Sequence, residues 1–192
     1  MGVYGLPRMM VSIGYIQKQN STKPALSQPR VMSLFDDNDF LWIGTFDGGL
    51  NKLDLTSLEV KIFKHSRLKD NSLGANGVTS MLRTSGGDLL VGTYGGGLSL
   101  YHSETDTFTN FTHNPENDKS ISNNEVLALF EDSLGYIWVG TGRGLNRFNP
   151  DQQSFDRYFS DTENPKSLSG DMPWRFWEGT TGTLWIAIAA GG

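Results

Sequence analysis

Aromatic, amide and charged side chains recur in the short polar segments that separate the apolar runs of this 192-residue chain. Some of them follow an apolar run that ends in Gly-Thr, and others lead into the next run. Aromatic rings combined with amide and charged groups suit a polar ligand such as an oligosaccharide. The residues predicted to bind it are Phe46, Asp47, Tyr94, Arg143, Asn76, Asn124, Asp171 and Trp174. The alternative, that they are solvated loop tips without a ligand, is equally open because loop composition is a weak indicator.

The composition gives little support for disulfides, metal binding, catalysis or nucleic-acid binding. The chain has no cysteine, which excludes disulfides, thiolate zinc sites and cysteine nucleophiles. Its three histidines, His65, His102 and His113, lack the i, i+4 pairing and the acidic partner at fixed spacing of a metal site. No Ser/His/Asp arrangement or carboxylate pair stands out, so we expect neither an enzyme nor a bound cofactor or metal. A formal net charge of -5 argues against nucleic acid as a partner.

The segments that carry the candidate side chains belong to a tandem repeat. Gly-Thr pairs begin at Gly44, Gly92 and Gly140, so the step between units is 48 residues both times. A fourth copy has Ala187 where the other three have glycine. Repeats of this length, with the same markers in register, are typical of solenoids and propellers.

Each unit contains four short apolar or aromatic runs separated by turn residues, and no segment keeps a helical period. The second run, such as residues 137–139, is apolar at three successive positions, which fits a strand covered on both faces. The repeat therefore predicts an all-β fold, a β-propeller of four-stranded antiparallel blades. Stacked blades would bury Trp42 and Trp138, and truncating Trp138 should then cost about 3–5 kcal/mol. The repeated glycines are expected where neighbouring blades approach closely.

The units amount to about four blades' worth of sequence, as three complete units and two half units. They divide the chain into a degenerate half blade with strands three and four (1–30), complete blades (31–77, 78–125 and 126–172) and the first half of a further blade (173–192). We favour part of a larger propeller. The alternative is a small ring in which residues 1–30 complete the fourth blade, since four blades are the lower limit. Open blade faces are sticky, so the remaining blades or a second copy of the chain are the expected protein partners.

Residues 129–148 follow the frame L/F-x-D-x-x-G-x-I/L-W-V/I-G-T-x-x-G-(G)-L-x-x-F/Y, with a loop one residue shorter. This frame, repeated over residues 31–192, resembles the two-component regulator propeller repeat. The resemblance implies seven-bladed propellers, usually paired, in the periplasmic sensor region of hybrid histidine kinases or membrane-bound diguanylate cyclases. Known members of that family sense carbohydrate fragments.

The resemblance thus implies a ligand-sensing module in two-component or cyclic-di-GMP signalling. No kinase, receiver or cyclase motif is present, so the output domain would lie outside this chain. The alternatives are a propeller scaffold for protein–protein interaction and, less favoured, a propeller lyase or glycosidase. The implied location is periplasmic, although residues 1–16 lack the basic start and cleavage site of a signal peptide. No apolar stretch reaches the ~18 residues of a membrane span, so membrane attachment would require segments absent from this chain.

Overall fold

The computed structural model describes residues 26–189, and this part of the chain consists of strands and turns without a helix. Nothing in it has the length and apolar character of a membrane-spanning helix. The strands are β1 (Val31–Asp37), β2 (Phe40–Thr45), β3 (Leu50–Asp54), β4 (Val60–Phe63), β5 (Val78–Arg83), β6 (Leu89–Thr93), β7 (Gly97–His102), β8 (Thr107–Phe111), β9 (Val126–Glu131), β10 (Ile137–Thr141), β11 (Leu145–Asn149), β12 (Ser154–Tyr158), β13 (Met172–Glu178) and β14 (Leu184–Ala189). Of the predicted half blade at 1–30, residues 1–25 lie outside the described residues.

The strands form three four-stranded sheets and, at the end of the described residues, one two-stranded sheet. We call β1–β4, β5–β8, β9–β12 and β13–β14 the first, second, third and fourth sheets. Within each sheet, strands that follow one another in sequence are neighbours and run antiparallel. The prediction of an all-β chain with four-stranded antiparallel blades is confirmed. The exact blade boundaries stay a prediction.

One type of tight turn joins the first strand to the second in the last three sheets. The turns contain Gly87, Gly135 and Gly182, with φ values of +94°, +81° and +77°, a region that favours glycine. In each turn the glycine N–H donates to the carbonyl oxygen three residues earlier. The residues between these two groups therefore occupy equivalent positions in the three sheets.

The sheets pack face to face, and the second strands of the first three sheets are largely buried, whereas β14 of the fourth sheet is partly exposed. Strand β6 is buried at all positions, as predicted from its run of apolar residues, because a sheet covers each of its faces. The cluster between the first and second sheets consists of Trp42, Leu50, Phe63, Leu73, Val78, Leu89, Val91, Tyr101 and Phe108. The cluster between the second and third sheets consists of Leu90, Leu98, Ile121, Val126, Ile137, Val139, Phe148 and Phe155. The first strands β1, β5, β9 and β13 contact one another in turn, which makes them the inner strands of the assembly.

Glycine in the second strand allows the sheets to approach closely, as the sequence predicted. A Cβ at Gly44 would lie 2.6 Å from Val78 of the second sheet, and one at Gly92 would lie 2.6 Å from Val126 of the third. A Cβ at Gly140 would lie 2.5 Å from the carbonyl oxygen of Pro173. These distances are far below van der Waals contact, so the observed spacing of the sheets requires glycine at all three positions.

The tryptophans of the second strands differ in burial. Trp42 is 1% exposed, as predicted. The prediction that Trp138 is equally buried is wrong, because its indole is only half-buried and packs near the exposed rings of Tyr136 and Tyr158. Trp185 is 61% exposed. The cause is that the described fourth sheet has only two strands, so it covers only the inner part of the third sheet. No other sheet of residues 26–189 lies on the outer face of the fourth sheet. Truncating Trp138 should therefore cost less than the 3–5 kcal/mol expected for full burial.

The phenol of Tyr101 makes the stability of the fold depend on pH in the alkaline range. Burial raises the pKa of Tyr101 above its ordinary value of 10.0, and the hydrogen bond that its hydroxyl donates to Asp106 acts in the same direction. Folding therefore favours the neutral phenol. Its contribution to the free energy of unfolding is complete below about pH 10 and is lost as the pH rises further. Urea unfolding should show falling stability of the wild type above about pH 10 and a smaller fall for Tyr101→Phe. Equal pH profiles for the two proteins would contradict this role of Tyr101.

Candidate functional site

An extra residue interrupts the pairing of the first strand with the second at the same place in every sheet. In the first sheet Val31 pairs with Thr45 and Ser33 with Gly44, so the residue between Val31 and Ser33 has no partner of its own. The second, third and fourth sheets show the same irregularity. Such β-bulges re-aim a side chain and are common beside functional sites. The four bulge residues are Met32, Thr79, Leu127 and Trp174.

All four bulge residues line one cavity of about 580 Å³ beside the inner strands. Further side chains around it come from the loops at the same end of the sheets, and they include Phe46, Asp47, His65, Asn76 and Tyr94. The lining is mainly aromatic and aliphatic, with a few polar groups among them. Both this composition and the volume match those of small-molecule sites, which typically measure about 300–1,000 Å³.

The glycine loops, which join the second strand to the third, present two of the aromatic rings. They span residues 45–49, 93–97 and 141–144. The buried hydroxyl of Thr45 donates to the carbonyl oxygen of Gly49 at 2.8 Å, and Thr93 and Thr141 make the equivalent bond in the other loops. This bond closes each loop and explains why threonine follows glycine at the end of each second strand.

Three aromatic side chains at the cavity are exposed enough to contact a ligand. The exposed fractions are 58% for Tyr94, 48% for Phe46 and 44% for Trp174. One face of Phe46 is already occupied, because the guanidinium of Arg30 lies 3.9 Å from the centre of its ring. No other ring or cation of residues 26–189 stacks on Tyr94 or Trp174. These two residues therefore offer the unoccupied aromatic surfaces of the site.

The cavity brings together five of the eight residues predicted to bind a ligand. Phe46, Asp47, Asn76, Tyr94 and Trp174 line it. The other three, Arg143, Asn124 and Asp171, are not among the lining residues. A role in ligand binding stays a prediction for all eight.

Three of these residues have a structural role that the sequence did not reveal. Asn76, Asn124 and Asp171 occupy equivalent positions ahead of an inner strand. The Oδ1 atom of each accepts a hydrogen bond from a main-chain N–H just beyond a fourth strand, and the donors are His65 at 2.8 Å, His113 at 2.6 Å and Ser160 at 2.5 Å. Their main-chain carbonyls accept bonds from the glycine loop of the same unit. Since Asn76 uses only its oxygen in this way, its Nδ2 group is still able to donate into the cavity.

Sequence reasoning missed seven lining residues, which are Met32, Thr79, Leu127, His65, Ala75, Gly77 and Val78. The first three have side chains that differ from unit to unit, and only the pairing of the strands shows that each is the extra residue of a bulge. His65 follows the fourth strand, and its ring Nδ1 lies 2.9 Å from the carbonyl oxygen of Leu73. The three bulge residues lie 12 or 13 positions before the glycine of the Gly-Thr pair of the same unit, and His65 lies 21 positions after it. This spacing is the signal that could have found these four residues.

Two carboxyl groups with lowered pKa values, those of Asp106 and Asp156, lie outside the lining of this cavity. The side chains of Arg147 and Lys119 hold the pKa of Asp156 below its ordinary value. Lys61 and Tyr101 likewise lower the pKa of Asp106. Both carboxyl groups belong to ion pairs on the outer parts of the sheets. Within residues 26–189, no group of three or more His, Asp or Glu side chains is placed to hold a metal ion.

Sheets packed face to face beside a row of inner strands define a β-propeller, here in partial form. Structural comparison agrees with this class. A protein of unknown function from Bacteroides thetaiotaomicron VPI-5482 superposes with a TM-score of 0.55 at 13% identity, covering 83% of this chain and 44% of that one. The extracellular domain of BT3049, described as a hybrid two component system of B. thetaiotaomicron, gives a TM-score of 0.51 at 19% identity, covering 93% of this chain and 35% of that one. The chain thus spans about a third of the BT3049 domain.

The family model for the two component regulator propeller matches residues 120–143, which include β9 and β10. Residues 120–143 are therefore similar to a repeat of this family, and the resemblance predicted from the sequence is confirmed for this part of the chain. A search of curated proteins finds no match.

Proposed function

We propose that this chain is part of the extracytoplasmic sensor region of a bacterial two-component or cyclic-di-GMP signalling protein, located in the periplasm. The two component regulator propeller repeat at residues 120–143 supports this proposal. The similarity of the fold to an extracellular domain described as belonging to a hybrid two component system is consistent with it. In such an arrangement the propeller binds the signal, and a separate domain produces the response.

The ligand in this proposal is a polar molecule such as an oligosaccharide, bound in the cavity beside the inner strands. The observation that carries the proposal is the convergence of four bulge residues, one from each sheet, on that single cavity. Tyr94 and Trp174 provide flat apolar surfaces on which a sugar ring can stack. Asp47 and the free amide of Asn76 provide hydrogen-bonding groups beside them. A ligand that extends past the cavity would be needed to reach Arg143, Asn124 or Asp171.

Removing either unoccupied aromatic surface should weaken ligand binding without affecting the fold. We expect Tyr94→Ala and Trp174→Ala each to raise the dissociation constant about tenfold, because an aromatic anchor in a site is worth roughly 1–2 kcal/mol or more. Isothermal titration calorimetry with a panel of neutral and acidic oligosaccharides measures this. Tyr136→Ala is the matched control, since Tyr136 is a similarly exposed tyrosine outside the cavity.

The same variants distinguish the proposal from its alternatives. A chain that binds no oligosaccharide, but whose capture of a protein partner is lost in Tyr94→Ala and Trp174→Ala, would be an interaction scaffold. Turnover of any glycan would show a propeller lyase or glycosidase and overturn both. Oligosaccharide binding that is unchanged in both variants would place the site elsewhere.

A further inference from the structure

The loops that connect the fourth strand of one sheet to the first strand of the next share one hydrogen-bonded framework. They span residues 64–77, 112–125 and 159–171, and we call them the first, second and third connecting loops. In each loop a serine hydroxyl accepts the N–H of the residue six positions earlier and donates to the carbonyl oxygen of that same residue. The three serines are Ser72, Ser120 and Ser167. Because the framework is the same, the three loops can be compared residue by residue.

The first connecting loop differs from the other two in charge. It carries Lys64, Arg67 and Lys69 with one acidic residue, Asp70, which gives it a formal charge of +2. Each of the other two loops carries three acidic residues and one lysine, a formal charge of -2. The three cationic side chains of the first loop are exposed, and none of their side-chain nitrogens forms an ion pair or a hydrogen bond within residues 26–189. The first loop is thus a local concentration of positive charge on a chain whose formal net charge is -5.

Lys69 occupies a position at which the other two loops use asparagine to stabilise their own turn. The side-chain oxygens of Asn117 and Asn164 each accept the N–H two residues further on, at 2.9 and 3.1 Å. Lysine has no side-chain acceptor, so the N–H of Asn71 lacks this bond in the first loop. A residue that forgoes a local hydrogen bond which its structural counterparts make is a candidate for a role in binding.

Arg67 and Lys69 line a second cavity, of about 350 Å³, beside the candidate ligand site. His65 lines both cavities, which places them next to each other. Thr112, just after β8 of the second sheet, also lines the second cavity, and its exposed hydroxyl has no hydrogen bond within the described residues. Asp70 is the one acidic residue among those that line it, and its carboxylate pairs with neither cation. The second cavity therefore offers two unpaired cations and a hydroxyl donor.

On the basis of the function proposed above, we propose that Arg67 and Lys69 bind an anionic substituent of the ligand, a carboxylate or a sulfate group, so that the ligand is an acidic oligosaccharide. Guanidinium and ammonium groups donate charge-assisted hydrogen bonds to such oxygens, and the guanidinium plane matches two of them at once. The hydroxyl of Thr112 adds a neutral donor. The residues that line the candidate ligand site include the acidic Asp47 and no lysine or arginine, so the anionic group is better placed in the second cavity, while the sugar rings occupy the first.

Two substitutions are expected to remove the cations without disturbing the loop. Arg67→Thr and Lys69→Asn introduce the residues found at these positions in the third connecting loop. Lys69→Asn should also restore the hydrogen bond of the turn, so the double variant should unfold at the temperature of the wild type or above it. Lys166→Gln is the matched control, because it removes an exposed lysine without an ion pair from the third connecting loop.

Calorimetric titration of the whole chain tests the proposal with three kinds of probe. They are inorganic sulfate, an oligogalacturonide with its carboxyl-reduced form, and a sulfated disaccharide with its desulfated form. The wild type should bind the acidic member of at least one pair about tenfold more tightly than the neutral member, and the pair that shows this preference distinguishes carboxylate from sulfate. The double variant should lose the preference and bind sulfate about tenfold more weakly, whereas Lys166→Gln should behave as the wild type. Added salt should reduce the preference, since both cations are exposed.

The outcomes separate this anion site from the proposed oligosaccharide ligand. Equal affinity for the two members of each pair, or an acidic preference that persists in the double variant, would overturn the anion site and leave the proposed function intact. Sulfate binding that is unchanged in the double variant would do the same. Sulfate binding that requires Arg67 and Lys69, without binding of any sugar, would support the anion site and count against the oligosaccharide. No binding of sulfate or of any sugar would overturn both.

Discussion

Replacing Trp42 with alanine is expected to lower the free energy of unfolding by about 3–5 kcal/mol. The indole is 1% exposed and lies between the first and second sheets, with ring centroids 5.0 Å from Tyr101 and 5.9 Å from Phe63. Its N–H donates to Asp37 at 3.0 Å. Truncation leaves a cavity that two packed sheets cannot fill by moving together, and it also removes one of the two side-chain donors to Asp37, the other being Arg83. Urea unfolding followed by circular dichroism measures the loss.

Trp185→Ala is the matched control for this experiment, because Trp185 occupies the equivalent position in the fourth sheet and is 61% exposed. We expect a change of less than about 1 kcal/mol, since little apolar surface returns to water. It should be measured at a concentration where the chain is monomeric. Similar losses of unfolding free energy in Trp42→Ala and Trp185→Ala would contradict the packing of Trp42 between two sheets and the exposure of Trp185 on the last one.

Replacing Gly92 with valine should destabilise the chain by about 3 kcal/mol or more, at the upper end of the range for overpacked cores. The new Cβ would lie 2.4 Å from the hydroxyl oxygen of Ser80 in its own sheet and 2.6 Å from Val126 in the third sheet. Both neighbours belong to inner strands, so relief requires the second and third sheets to separate. Thermal unfolding of the variant should show a lower midpoint and a smaller enthalpy.

The control is Gly86→Val, in the turn before β6. A Cβ at Gly86 meets nothing nearer than the hydroxyl of Thr84 at 3.7 Å, and the backbone of Gly86 is not in the left-handed region. This variant should therefore unfold like the wild type. If Gly92→Val were equally harmless, the close approach of the second and third sheets at this point would be refuted.

The architecture could be predicted from the sequence because the same pattern of apolar runs and glycines occurs in each unit. The apolar second runs indicated strands covered on both faces, and β6 is buried along its whole length. The repeated glycines indicated close approach between sheets, and the space around Gly44 and Gly92 shows it. Burial of Trp138 could not be predicted in the same way, because it depends on how much of the neighbouring sheet is present and not on the local pattern.

The candidate site was predictable only in part. Tyr94 and Trp174 could be found from loop position and residue type, and both line the cavity. Asn124 has the same residue type but uses its side-chain oxygen to bind the N–H of His113, a contact that requires knowing which loops are neighbours. Leu127 has the sequence context of a core strand residue, yet it lines the cavity. The reason is that the bulge changes the direction of its side chain from the one expected for alternating strand residues.

The four bulges bring side chains to the cavity from strand positions that have no cross-strand partner. A bulge residue has no cross-strand partner, so its side chain is released from the alternation that assigns every other strand residue to one sheet face or the other. Methionine, threonine, leucine and tryptophan occupy this position in the four sheets, while the flanking residues keep their pairing. If the proposed function holds, changes at the exposed Met32 and Trp174 would alter the surface offered to a ligand one position at a time. Thr79 and Leu127 are less free to change, because the Thr79 hydroxyl bonds the carbonyl oxygens of Gly92 and Val126 and Leu127 is buried. In such a role, units of this kind would vary their ligand mainly at the exposed bulge positions while the strand pairing stays the same.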